Sequence, residues 1–550
     1  MKNDNIINDT VYGHIPYSGV EKKFLQSKIV NRLLFISQNA LAYFAFPSIS
    51  TKRYIHSLGT MHVASYIFKN AIINSEDRVV NSLLKSAKYE IERLIKSNEL
   101  NFDLKRLVID DITLKEFTPP LKDKYSIVYM ILLQTIRLSA LLHDVGHLPF
   151  SHQTEYALYR LYNSLKNRNS LNQQEDKFIQ FYETITKKGK EVLHENIGNT
   201  YLDMLFNYEV IEQSSSSKEL IKLYYLMVKN IFNNHEEEGF SYTTLHKIIA
   251  STVDADRIDY INRDLLASGY ISSSSDLLRI ARASIFIENN NQLILSFNTA
   301  SLYDIEHLLE SRFNLYKKVF FTYKIARLDT LLEKVITYLS KEYLTISPND
   351  KKVYQTIAMM WKFSEENDMI KQLDIISQLD ENWLITLFKK EYFKIKYQLS
   401  LTYQERYYLS AFEDILFGRN IFQATWKNLS EFYNILELSS SERYSFREKF
   451  GKLSLKKSKK LEMLLEAFIA KYNRDNAFFA YSIVSISIGI DKSFMLYDGE
   501  KRVSIDELST VRKRLQTSRS NSVPFFLFSN SQKLTLEMRR ELKEILFKLF

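Results

Sequence analysis

No cysteine occurs in the 550 residues. Disulfides, thiolate nucleophiles and cysteine-ligated zinc are therefore excluded, and any metal must be held by His, Asp and Glu. Glycine and proline are scarce, 12 and 7 in all, which predicts a mostly helical chain with few tight turns. A long uninterrupted apolar run is also missing; the longest candidate, Tyr125 to Leu142, carries Gln134 and Arg137. The opening MKNDNIINDTVYG lacks the apolar core of a signal peptide, so a soluble cytoplasmic protein with no membrane partner is expected.

What is present is ordinary for a globular chain, with 45% hydrophobic and 25% charged residues. The length calls for two or three domains rather than one core. A net charge of +9 permits an anionic ligand or nucleic acid without demanding either. The basic run KLSLKKSKK, Lys452 to Lys460, has no Gly-rich or RNP-like aromatic motif beside it. It reads as a solvated helix start, so nucleic acid has little support as a partner.

The patterning predicts a mainly α protein. Residues 1–50 form a leading segment with one amphipathic helix, EKKFLQSKIVNRLLFISQNALAYF. A helix runs from Thr51 to about Asn74, and a charged, helix-rich insertion covers about 76–121. A nearly all-apolar, buried helix spans Lys122 to Asp144; GHLPF breaks it and Ser151 starts another. RNSLNQQEDK and EQSSSSKEL read as surface loops, and Tyr242–Ser268 and Leu302–Leu332 as helices. The core thus spans 51–335, followed by a helical region over 336–477. The β-branched and aromatic runs FFAYSIVSISIGI, KSFMLYD and VPFFLFS predict a small mixed α/β element over 478–550.

The stretch LLHDVGHLPFSH holds three of the ten histidines. His143 and Asp144 sit where the apolar helix ends, and such a pair is costly there unless something compensates it. A helix-terminal Asp paired with its neighbouring His is the plainer alternative. TKRYIHSLG puts His56 three residues after Arg53, on one helix face. DADRIDYINRD puts Asp256, Tyr260 and Asp264 at i, i+4 and i+8, for which a solvated face is the plainer reading. Together His56, His143, Asp144 and Asp256 offer a mixed N/O set suited to a divalent Mg, Mn, Fe, Co, Ni or Zn, without choosing among them. Such an ion acidifies bound water and polarises phosphoryl oxygen. Arg53, His147, His152, His194 and Arg257 could bind phosphate or carry protons.

In that order, and embedded in RYIHSLG, LLHDVGHLPFSH and DADRIDYINRD, these residues resemble the HD-domain phosphohydrolase superfamily. Within it the chain looks most like the deoxynucleoside triphosphate triphosphohydrolases, the bacterial dGTPase-like enzymes and their vertebrate relative SAMHD. HDVGHxPFSH, the later His194-Glu195 and DxDRxDYxxRD are more specific than the H…HD…D ligands alone, and the likeness runs to about Lys324.

The resemblance implies an all-helical HD core over 51–335, with His56, His143, Asp144 and Asp256 as metal ligands. His152, oriented by Glu155, would be the catalytic acid/base, with His194 in support or on the phosphates. Arg53, His147 and Arg257 would bind the triphosphate, with Lys317, Lys318 or Lys324 as further cations. Tyr260 and Asp264 would face the sugar and Gln38 the 3′-hydroxyl. Water would attack the α-phosphorus of a dNTP, releasing deoxynucleoside and intact triphosphate. The implied setting is a homo-oligomer that controls nucleotide pools, in some bacteria as anti-phage defence.

Three departures mark this chain. Asn39 stands where the family has an apolar residue against the deoxyribose. QSKIVNRL replaces the activator-site segment DTxxFQRL, so a different nucleotide activator, or none, is expected. YKKVFFTYK lacks the family's His. Two other readings stay open: an HD nuclease or phosphodiesterase acting on nucleic acid or a signalling nucleotide, and a nucleotide sensor without turnover.

Overall fold

The computed structural model describes residues 5–187, 192–211, 218–237, 240–270, 278–290, 292–345, 355–450, 455–474, 477–491, 493–530 and 533–549. Helices dominate, as expected. The sheets among the described residues are small: two-stranded hairpins and one three-stranded antiparallel sheet in which Phe525–Ser529 lies between Gln423–Ala424 and Phe479–Ile483.

Two long helices form the centre. Helix α1, Arg53–Asn74, packs on α2, Asp123–Leu142, which is buried on nearly every face. By length and composition α2 could cross a membrane, contrary to the sequence reading, but 89% of its apolar window is buried inside the protein. Two of its interior polar residues, Gln134 and Arg137, are paired with the N-terminal segment. Arg137, 0% exposed, donates to both carboxylate oxygens of Glu21, to Ser65 Oγ and to Pro16 O; Gln134 donates to Glu21 and accepts from Ser18 Oγ. A buried pair satisfied this completely fixes where the N-terminal segment docks, because removing one partner strands the other charge.

Around this pair lie α3, His152–Lys166, α4, Leu193–Met204, α5, Ala255–Ser268, α6, Leu302–Leu315, and α7, Tyr323–Thr345. Helix α5 packs on α1 and α6, and α7 packs on α3 and on the strand Phe479–Ile483. The tail therefore contacts the core directly.

Several expected elements are broken. The single helix expected before residue 50 is a hairpin, Ile6–Asp9 with Gly13–Pro16, then the short helices Gly19–Leu25 and Lys28–Asn31 and two 3-10 turns. Ser18 and Ser27 each accept from a backbone N–H three residues on and start a new helix, which amphipathic periodicity does not register. The helix expected over Tyr242–Ser268 stops after His246 and restarts where Asp254 caps Arg257 N. That over Leu302–Leu332 is interrupted by a π turn at Tyr316–Phe320. Only the first part of RNSLNQQEDK is loop, since Asn172 caps the helix Gln173–Thr186. Most of the Ser-rich EQSSSSKEL falls outside the described residues. The strand-like tail segments do form strands, at Phe479–Ile483, Met495–Tyr497 and Phe525–Ser529.

His62 on α1 is enclosed by Tyr12, Tyr66 and Phe117. Burial and the Arg137 charge lower it to about 4, against the pull of Asp9 and Asp259. The unfolded chain binds a proton near pH 6.5 that the folded chain refuses, so stability rises with pH across this window and is lost on acidification. Between pH 6.5 and 4 His62 withdraws about 3 kcal/mol. Denaturant titrations of His62→Phe should show a correspondingly flatter pH dependence.

Candidate metal and phosphate site

The bend after α2 brings the site together. Phe150 and Ser151 take positive φ, 59° and 55°, a conformation that costs a non-glycine residue on the order of 1 kcal/mol. It is held because Ser151 Oγ accepts from Arg53 Nε at 2.7 Å and donates to Ser37 O at 3.1 Å, while Thr154 Oγ1 donates to Pro149 O. Gly146 is needed for a different reason. A Cβ there would lie 2.0 Å from His194 O and 2.3 Å from Gly198 N, so its absence lets α4 approach and deliver His194.

One cluster joins α1, α2 and α5. His56, His143 and Asp256 each place one ligand atom within 4.8 Å of the others. Asp256 Oδ1 is 2.9 Å from His56 Nε2 and 3.8 Å from His143 Nε2. Asp144 closes the rim, with Oδ2 3.7 Å from His56 Nε2 and Oδ1 3.4 Å from His143 Nε2, and it is bound to Arg53 Nη1 at 2.5 Å. The rings are aimed by their other nitrogens: His56 Nδ1 meets Asp259 Oδ2 at 2.7 Å and His143 Nδ1 meets Ala140 O at 2.8 Å. Both Nε2 atoms are buried with no well-formed hydrogen bond among the described residues. Paired imidazoles with Nδ1 committed and Nε2 turned toward carboxylates fit a divalent ion. Burial opposes a charge on His56, yet the carboxylates of Asp256 and Asp259 beside it raise it to about 10. Burial also opposes ionisation of Asp144, but Arg53 holds it well below the usual carboxylate range.

A second cluster adjoins it. The Glu155 carboxylate, 5% exposed, is shared by three imidazoles: His194 Nδ1 at 2.8 Å, His147 Nδ1 at 3.2 Å and His152 Nδ1 at 3.4 Å. Glu155 is thus no private partner of His152, and its shortest contact is to His194. The His147 and His194 rings stack at 4.0 Å, and His147 Nε2 lies 3.2 Å from Asp144 Oδ1, linking the clusters. Burial and the Arg53 charge push His147 down to about 3, so it is neutral. Burial opposes a charge on His194, but Glu155 raises it. His152 is the exposed member, its side chain 54% accessible.

Both clusters open into one cavity of about 680 Å³, of the size that takes a small organic ligand. Gln38, Asn39, Arg53, His147, Arg257 and Tyr260 line it alongside His143, Asp144 and Asp256. Asp264, expected at the sugar, does not: it is 1% exposed and its carboxyl faces Asn39. Lys317, Lys318 and Lys324 are likewise absent from the lining. Lys317 bonds Ser518 O and Lys318 sits over Tyr270. The lining holds Lys187 and Arg312 instead, neither of them expected from the sequence; Arg312 Nε donates to Tyr260 Oη at 3.1 Å. Asp259 was missed too, although its place three residues after Asp256 could have marked it.

No family model matches the chain. Over 331 residues it is 24% identical to an uncharacterized protein of Methanocaldococcus jannaschii, covering 60% of this chain and 49% of that protein. It is 22% identical over 358 residues to an HD domain-containing protein of Acanthamoeba polyphaga mimivirus, covering 65% and 61%. It is 24% identical over 332 residues to the deoxynucleoside triphosphate triphosphohydrolase SAMHD1 homolog of Dictyostelium discoideum, covering 59% and 47%. The chain thus spans about half to three-fifths of the length of these curated relatives. In fold it resembles a hypothetical protein of Aquifex aeolicus (TM-score 0.54, 18% identity, 98% of this chain and 100% of that one). It also resembles a phosphohydrolase of Bacteroides thetaiotaomicron (TM-score 0.53, 18% identity, 96% and 100%).

Proposed function

We propose that the protein is a metal-dependent hydrolase of the HD-domain, dNTPase-like kind that converts deoxynucleoside triphosphates to deoxynucleoside and triphosphate. The observation that carries this reading is the meeting, in one cavity, of a His/Asp cluster fit for a divalent ion with a carboxylate-backed histidine cluster and three arginines. Those parts suit a highly charged phosphate ester that needs both charge neutralisation and proton transfer.

On this account His56, His143, Asp144 and Asp256 would hold the ion. When bound, it would supply a polarised phosphoryl oxygen and an acidified water. Arg257 and Arg312 bind phosphate oxygens, and Arg53 keeps Asp144 ionised. Water attacks the α-phosphorus and the bond to the 5′-oxygen breaks. His152, exposed to the cavity and backed by Glu155, gives that oxygen its proton. His194 and the neutral His147 hold the carboxylate in place. Gln38 and Tyr260 contact the sugar; Asn39, beside Asp264, presents an amide where an apolar wall would exclude a 2′-hydroxyl. The same reading includes control of nucleotide pools, with depletion of dNTPs during phage infection, by a cytoplasmic homo-oligomer with a different nucleotide activator or none.

The test is to incubate the chain with all four dNTPs, singly and mixed, with Mg, Mn, Fe or Co, and resolve products by ion chromatography. Triphosphate with free deoxynucleoside is the expected result. Cleavage of oligonucleotides alone would overturn the reading in favour of a nuclease.

A further inference from the structure

Two of the cavity's arginines are held from outside the core. Arg312 donates Nη1 to Ser487 O at 3.0 Å, and Arg257 donates Nη1 to Gly489 O at 2.8 Å and to Thr252 O at 3.0 Å. Ser487 and Gly489 lie in residues 484–491, which leave the strand Phe479–Ile483 and run against these two arginines of the cavity lining. This strap is pinned at both ends: Val484 N donates to Pro524 O at 3.0 Å, and Arg512 Nη2 donates to Asp491 O at 2.6 Å. Ile486 and Ile490 are buried between those points. Gly489 has φ +71°, and a Cβ there would lie 2.4 Å from Arg312 Nη1, so only glycine permits this approach.

The acceptors are neutral. Arg53 is matched by the Asp144 carboxylate at 2.5 Å, whereas Arg312 bonds a carbonyl and a tyrosine hydroxyl. Arg257 bonds two carbonyls, with the Asp254 carboxylate 3.7 Å from its Nε. A carbonyl fixes the direction of a guanidinium without cancelling its charge, and it leaves further N–H donors for an anion. Holding two cations in place beforehand removes part of the ordering cost of binding.

We propose that the strap 484–491 is a positioning element for the polyphosphate end of the cavity. It sets Arg257 and Arg312 toward the phosphates and makes the 478–550 element a working part of the site. The inference rests on the phosphate-binding reading of the cavity.

Gly489→Ala in the full chain tests it. Binding of inorganic tripolyphosphate, followed by calorimetry with metal present, should weaken about tenfold or more. KM for the dNTP should rise in parallel, with kcat within about threefold and metal content unchanged. In an Arg257→Ala/Arg312→Ala background the same substitution should weaken the residual binding less than about twofold further, because both its targets are already gone. If Gly489→Ala is insoluble, Arg512→Ala, which frees one end of the strap, must give the same non-additive loss. Unchanged tripolyphosphate binding, or an equal loss in both backgrounds, would overturn the proposal. A non-additive loss of tripolyphosphate binding in a chain that turns over no dNTP would uphold the strap while refuting the dNTPase reading.

Discussion

Asp256→Ala is expected to empty the metal site and to lower dNTP hydrolysis on the order of 10³-fold or more, while leaving the fold intact. Asp256 and Asp144 both face the two imidazole Nε2 atoms, Asp256 at 2.9 and 3.8 Å and Asp144 at 3.7 and 3.4 Å, but Asp144 is tied to Arg53 and does not take over the place Asp256 leaves. Its side chain is 34% exposed at the cavity wall, and truncation leaves no sealed void. Asp144→Ala would be a poorer test of the same idea. It would strand the buried guanidinium of Arg53, and breaking a buried ion pair from one side destabilises by about 3–5 kcal/mol. Metal content per chain by plasma emission, together with a melting curve, separates the cases. Full metal content in Asp256→Ala would remove it from the ligand set.

Glu155→Gln should act on the neighbouring cluster alone. The carboxylate accepts from His194 Nδ1 and faces the Nδ1 atoms of His147 and His152 at 3.2 and 3.4 Å, and an amide can offer only one oxygen while its NH2 faces a ring N–H. Disorienting the acid/base group in this way should reduce kcat about 10²-fold, with metal content and KM little changed. The contrast with Asp256→Ala is the informative part, since one variant would lose the ion and the other keep it. Loss of metal in Glu155→Gln would show that the clusters are not separable, and an unchanged kcat would take Glu155 out of the mechanism.

The residues that converge on the cavity were largely legible because they break local rules. An apolar helix ending in His143-Asp144, an Arg53/His56 pair at i, i+3 and a bend marked by Gly146 and Pro149 each demand a compensating neighbour. The helix repeat explains one error. Eight residues from Asp256 advance two turns and a further rotation of about 80°, which carries Asp264 off the cavity face and behind Asn39. Asp259, on the other flank of that face, turns toward His56 Nδ1 instead. Arg312 was invisible because nothing around it differs from an ordinary amphipathic helix; only the docking of α6 against Tyr260 brings it to the cavity. Contacts between distant positions, such as Gly146 with Gly198 or Gly489 with Arg312, depend on packing that no local pattern encodes. The broken N-terminal helix failed for a similar reason, because serine caps compete with the helix they interrupt.

Hydrolysis of a dNTP in ¹⁸O-labelled water with metal, followed by mass spectrometry of the products, tests the central claim most directly. Attack of water on the α-phosphorus with departure of the 5′-oxygen predicts one ¹⁸O in the triphosphate and none in the deoxynucleoside. Pyrophosphate with labelled deoxynucleoside monophosphate, or label in the free deoxynucleoside, would contradict it.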